Sequence, residues 1–215
     1  MMSTLSVEIW SDLICPWCWI GLHRFERAVG AFEHAEDLEV VHRAYRLAPG
    51  AIPLPLEQAI MRSHGISRSQ ITEMTRRIET VARTEGLPYE LSNALIGDTM
   101  DGHRIVKLAG TLGRQSAMIE RFFMANFSEG RPPFGRERLL ELASDAGLDR
   151  ADAGAVLDGD RFRAEVEIDQ RSLEAAGGHG VPFFLIGGGR AVSGALSSDT
   201  FSQFLMHEWR ELRSP

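Results

Sequence analysis

The chain has 215 residues, of which 23 are basic and 30 acidic, for a formal net charge of −7. That length suits one large domain or a domain with a sizeable insertion, and the 44% hydrophobic content is enough for a core. The acidic balance argues against nucleic acid as the main partner, because phosphate binding needs basic patches. No run of apolar residues is long enough to span a bilayer, and Met1–Ser6 has neither a basic nor an apolar signal region, so a cytoplasmic enzyme without a membrane partner is expected.

In chain order, Val7-Glu8-Ile9-Trp10 reads as a buried strand. After it come Cys15-Pro16-Trp17-Cys18 and a run from Ile20 to Val29 with apolar residues at helical spacing. Strand, short loop, C-x-x-C and helix put a thiol at a helix N-terminus. There the macrodipole and the unpaired backbone N–H groups favour thiolate, the species that attacks disulfides. These are the chain's two cysteines. A structural zinc site would want four ligands, and the seven histidines offer no paired motif. A structural disulfide closing so short a loop would contribute little. Two inert buried cysteines remain an alternative on spacing alone.

Leu38–Leu47 reads as a second strand, making a parallel strand–helix–strand unit. Ala48–Pro55, with Pro49, Pro53, Pro55 and Gly50, breaks structure. From Leu56 to Leu157 the pattern is helical without a convincing strand. Helices are predicted over Leu56–His64, Ser69–Glu85, His103–Leu112, Ala117–Ser128, Arg136–Ala146 and Arg150–Leu157. Ser67 and Asp101 stand as start signals, and Gly86, Gly113, Gly130 and Gly147 as C-terminal stops. Arg161–Ala176 is a further helix. Phe183–Ile186 and Arg190–Gly194 flank Gly187-Gly188-Gly189 as a hairpin, since the glycines open no helix that could cradle a phosphate. Ser198–Leu212 is a last amphipathic helix.

This order resembles the thioredoxin fold as elaborated in the DsbA family, most closely the FrnE-type subgroup. The resemblance is carried by Ile9-Trp10-Ser11-Asp12, by Cys15 through Gly21, by Gly180-Val181-Pro182-Phe183-Phe184 and by Val192-Ser193-Gly194-Ala195. Weaker echoes lie in Arg46-Leu47, Asp101–Arg104 and Phe127–Gly130. It implies an α/β, thioredoxin-like fold with a large all-helical insertion: residues 1–50 and 160–215 form the discontinuous thioredoxin-like domain and 51–159 the insertion. It also implies a thiol–disulfide oxidoreductase with Cys15 as attacking thiol and Cys18 as resolving thiol, exchanging with disulfide- or thiol-containing proteins or small molecules. Pro16, Trp17, Val181 and Pro182 are the implied substrate-binding residues, with a cis bond before Pro182 presenting the Val181 backbone to a substrate strand.

No metal and no tightly bound cofactor is expected beyond the redox-active disulfide, with glutathione as a possible reductant and a monomer or homodimer as the assembly. Many periplasmic members carry His between the cysteines. Trp17 adds no positive charge, which implies a weaker oxidant. Kappa-type glutathione transferases and hydroxychromene carboxylate isomerases share the fold but typically have Ser in place of Cys15, so they stand as the alternative.

Asp12 is a candidate proton acceptor for Cys18, against a helix-capping or surface role. His103 and His179 are read as solvated or core-satisfied histidines ahead of groove residues. The stripe Phe122, Phe123 and Phe127 is read as core. The insertion is expected to select the substrate beside Cys15.

Overall fold

The computed structural model describes residues 4–213. The chain divides into two compact units, one from residues up to 45 together with those from 167 on, the other residues 46–166. The sequence boundaries of 50/51 and 159/160 lie at the proline-rich break and before the helix that follows Asp160.

In the first unit, β1 (Leu5–Ser11) is central. It pairs in parallel with β2 (Leu38–Ala44) and antiparallel with β5 (Phe183–Ile186), which pairs antiparallel with β6 (Arg190–Ser193). α1 (Pro16–Gly30) is the crossover connection that a parallel pair requires. Alternation along β5 builds both layers of the unit. Phe184 meets Phe25 of α1 (5.5 Å between ring centroids) and Phe201 of α9 (Ser198–Arg213; 4.6 Å) on one face. Phe183 meets Trp10 edge-on (5.6 Å) on the other, where Leu173 of α8 (Arg163–Ala175) completes a buried cluster. Each such ring contributes roughly 1.5–3 kcal/mol of burial, so two adjacent phenylalanines hold three helices onto the sheet.

The hairpin turn uses Gly187 and Gly188 at φ 63° and 73°, a region costly for any residue with a Cβ. α8 ends in a two-bond motif: Gly178 N–H donates to Leu173 O and Gly177 N–H to Glu174 O, with Gly177 at φ 80°.

Asp169 of α8 clamps this unit. Its side chain is buried and accepts from Ala44 N–H (2.9 Å) and Arg43 Nη1 (3.2 Å), while its main-chain carbonyl accepts from the Trp10 indole N–H (2.9 Å).

The second unit contains α2 (Leu56–His64), α3 (Arg68–Thr84), α4 (Met100–Gly110), α5 (Gln115–Phe127), α6 (Arg136–Asp145) and α7 (Arg150–Asp158), with α8 beginning in it. Ser67 caps α3 in a reciprocal box with Gln70. Gly86, Gly113, Gly130 and Gly147 all take positive φ just past helix ends. Phe122, Phe123 and Phe127 are core residues, and Tyr89 stacks on Phe127 at 5.5 Å.

Two expectations are corrected here. The strandless reading of 56–157 misses β4 (Leu95–Ile96), which pairs antiparallel with β3 (Leu54–Pro55). The buried amide of Asn126 acts as a third strand for β4, accepting from Leu95 N–H (3.1 Å) and donating to Leu95 O (3.2 Å). Nor does Asp101 cap α4: the helix begins at Met100, and Asp101, in its first turn, pairs with Arg104 (2.9 Å). Asp98 takes the capping work, accepting from Met100 N–H (3.0 Å) and Gly50 N–H (2.7 Å). Arg104 is buried and donates to the carbonyls of Arg161, Val156 and Gly159, satisfying main-chain acceptors at the end of α7.

Candidate active site

Cys15 is the N-cap of α1, with extended backbone (φ −94°, ψ 110°), and Pro16 opens the helix, where a missing N–H costs nothing. The main chain holds the loop tightly: Cys15 N–H donates to Asp12 O and Cys18 N–H to Cys15 O, both at 3.0 Å. The first turn carries no acidic side chain, so nothing there opposes an anion at the helix N-terminus. Cys15 and Cys18 are both free, buried cysteines, the Cys15 residue keeping 6% of its surface and Cys18 none. Pro16 and Trp17 are half-buried between them.

Burial pushes the Cys18 thiol well above its ordinary value. The hydrogen bond to Cys15 and the negative charges of Cys15 and Asp12 push the same way, and a backbone hydrogen bond with Asp12 opposes them. Asp12 itself is fully buried, which removes the surface role considered for it.

The other half of the site comes from the far end of the chain. The Cys15 thiol donates to Val181 O at 3.7 Å, and the Val181–Pro182 peptide bond is cis. Pro182 is buried and leads directly into β5. Cys15, Cys18, Asp12, Val181 and Pro182 thus meet at the ends of β1, α1 and β5 that face one another. His103 is a buried residue of α4 in the other unit, and His179 is exposed; both match the core or solvated roles read for them. No cluster of three or more His, Cys, Asp or Glu able to hold a metal ion occurs among the described residues, and no described helix is long and apolar enough to cross a membrane.

Sequence reasoning gave no role to Gly21, Arg24 or Asp169. Pro182, Ala195, Ala44, Arg43 and Trp10, which they meet, are distant in the chain; Gly21 ends the Cys15–Gly21 segment, but nothing local says what it does there.

Comparison with known proteins places the site in a lineage. The family model of the DSBA-like thioredoxin domain matches residues 6–206. The chain belongs to this family. A probable DsbA oxidoreductase from Streptomyces coelicolor superposes with a TM-score of 0.93 at 39% identity, over 98% of this chain and 92% of that one. Two solved structures are more distant. The cytosolic disulfide reductase DsbM from Pseudomonas aeruginosa has a TM-score of 0.67 at 23% identity, covering 96% of this chain and 99% of its own. A 2-hydroxychromene-2-carboxylate isomerase has 0.69 at 16%, covering 97% and 96%. At those identities the likeness concerns the fold, which the DSBA-like family shares with enzymes of different chemistry.

Proposed function

We propose that this DSBA-like protein is a cytoplasmic thiol–disulfide oxidoreductase of the FrnE type, exchanging the Cys15–Cys18 pair with protein or small-molecule disulfides. The observation that carries the proposal is the asymmetry of the two thiols. Cys15 caps a helix N-terminus and, though buried, keeps 6% of its surface, while Cys18, one turn on, has none and its thiol is pushed well above its ordinary value.

The chemistry follows from that asymmetry. The Cys15 thiolate attacks one sulfur of a substrate disulfide, forming a mixed disulfide and expelling the other sulfur as a thiolate, which takes up a proton. Cys18 then gives its proton to a base, for which buried Asp12 is the candidate, and attacks Cys15 Sγ. The Cys15–Cys18 disulfide forms and the second substrate sulfur leaves reduced. Two electrons pass from the pair to the substrate, and an external dithiol, or two glutathione molecules, returns them. Reversed, the oxidised pair accepts electrons from a substrate dithiol. Pro16, Trp17 and Pro182 wall the thiol, and Val181 supplies main chain to a substrate strand. Glutathione is supported as a reductant by the solved complex of DsbM with GSH, a fold relative. No other bound group is required, and the assembly is a monomer or homodimer.

The isomerase-like relative supports a glutathione-dependent transferase or isomerase as the second reading. The presence of both Cys15 and Cys18 favours the first. Catalysed reduction of insulin disulfides by dithiothreitol tests it: turnover is expected from the wild type and none from Cys15→Ser. A protein inert toward insulin whose Cys18→Ser variant keeps a full glutathione-dependent isomerase activity would overturn it in favour of the second.

A further inference from the structure

The helix that carries the cysteines also holds the segment that faces them. Gly21 is buried on α1, one turn after Cys18. A Cβ placed there would lie 2.9 Å from Pro182 Cγ and 3.4 Å from both Cα and Cβ of Ala195. The first distance is one that real side chains do not tolerate, and the atom in the way belongs to a buried ring that cannot swing aside. The Pro182 ring therefore occupies the space a side chain at position 21 would need. Three residues further along α1, Arg24 Nη1 donates to Ala195 O at 2.8 Å. The two contacted segments are tied to each other, because Gly194 N–H donates to Pro182 O at 2.8 Å. Val181, next to Pro182, meets the Cys15 thiol.

α1 and its N-cap thus do three things in succession: they present Cys15, receive the Pro182 ring at Gly21 and grip Ala195 through Arg24. We propose that Gly21 and Arg24 are positioning residues that set the Val181–Pro182 backbone in register with Cys15, and so govern turnover of polypeptide disulfides, whose main chain must pair with Val181 while their sulfur reaches Cys15. This rests on the oxidoreductase reading above. A small disulfide without a peptide backbone needs only access to Cys15 and is indifferent to that register. Both residues act through Val181 and Pro182 and touch no reacting atom. Alanine is the better helix former, so the glycine at position 21 answers to close approach and not to helix stability.

The test compares insulin with hydroxyethyl disulfide, each at saturating dithiothreitol, for wild type, Gly21→Ala, Arg24→Met and Arg24→Lys. Arg24 is half-buried and outside the core, so its variants stay folded even if Gly21→Ala does not. For Gly21→Ala and Arg24→Met, kcat/KM on insulin should fall about tenfold, the scale set by one misplaced hydrogen-bonded contact. The rate with hydroxyethyl disulfide should stay within about twofold of wild type. Arg24→Lys, which keeps a donor, should recover most of the insulin activity. Equal losses on both substrates with no recovery in Arg24→Lys, or no loss on either, would overturn the positioning role while leaving the oxidoreductase reading intact. A wild type inactive on both substrates would overturn that reading, and the positioning role with it.

Discussion

Replacing Asp169 by alanine should loosen the sheet where β2, α8 and Trp10 meet. The carboxylate is 2% exposed and accepts from the buried Ala44 N–H at 2.9 Å. Alanine leaves that amide without its acceptor, at a cost of roughly 1–3 kcal/mol for an unsatisfied buried donor. The ion pair to Arg43 contributes less, because the arginine side chain is 34% exposed and water screens it; under about 1 kcal/mol is the appropriate allowance. Glu8, at 2.7 Å, keeps Arg43 partnered after the change. The sum is about 1–4 kcal/mol, or a fall in Tm of about 2–16 °C for a chain of this size. Asp169→Asn retains an oxygen for Ala44 and should lose about half as much.

All four tryptophans, Trp10, Trp17, Trp19 and Trp209, lie in the unit built by β1, β2, β5 and β6. Intrinsic fluorescence during urea unfolding therefore reports on this unit. An Asp169→Ala protein whose fluorescence-detected stability lies within about 0.5 kcal/mol of wild type would refute the clamp, since so small a change is ordinary for a surface substitution.

Three further outcomes are expected. Alkylation of the reduced protein at neutral pH should map to Cys15 alone, because Cys18 is sealed and its thiolate fraction lies below the roughly 3% of an ordinary thiol; comparable labelling of both would contradict the site. Because the folded state holds the Cys18 proton to higher pH than the unfolded chain does, its contribution to stability is complete below the unfolded value of about 8.5 and is lost as pH rises through the folded value. Urea titrations of the reduced protein should thus show an alkaline decline of up to about 1.4 kcal/mol per pH unit that Cys18→Ala lacks, and equal slopes would count against the burial of this thiol. Trp17 and Trp19 flank Cys18 in the chain, so oxidising the pair should change the emission; identical spectra in the two states would argue that the pair does not form a disulfide there.

What could be read from the chain, and what could not, divides along sequence distance. The C-x-x-C at a helix start and the hairpin after Val181-Pro182 are local patterns, and the helix with its proline at N1 and the glycine turn follow from them. β4 escaped because two residues carry no alternation; the amide of Asn126, thirty-one positions on, makes it a strand. Asp101 looked like a cap because it precedes an apolar run, yet Asp98 reaches the free amide first and is tied in turn to Arg46 (3.0 Å). Asp169 sat unremarked on an amphipathic helix, because Ala44, Arg43 and Trp10, which it clamps, lie 125 or more residues away. Gly21 closes the Cys15–Gly21 segment, but the reason for a glycine there is the Pro182 ring, which stands where its side chain would be. The reactive pair was therefore legible, whereas the residues that hold its surroundings in place belong to tertiary packing.

The most direct test of the division of labour between the two thiols is the capture of a reaction intermediate. Cys18→Ser and Cys15→Ser proteins, reduced and then mixed with insulin, would be quenched with acid and weighed intact without reductant by mass spectrometry. The Cys18→Ser protein should carry an insulin chain in disulfide linkage to Cys15, since nothing remains to resolve it, and the Cys15→Ser protein should carry none. An adduct on Cys18 in the Cys15→Ser protein, or no adduct on Cys15 in the other, would contradict the account.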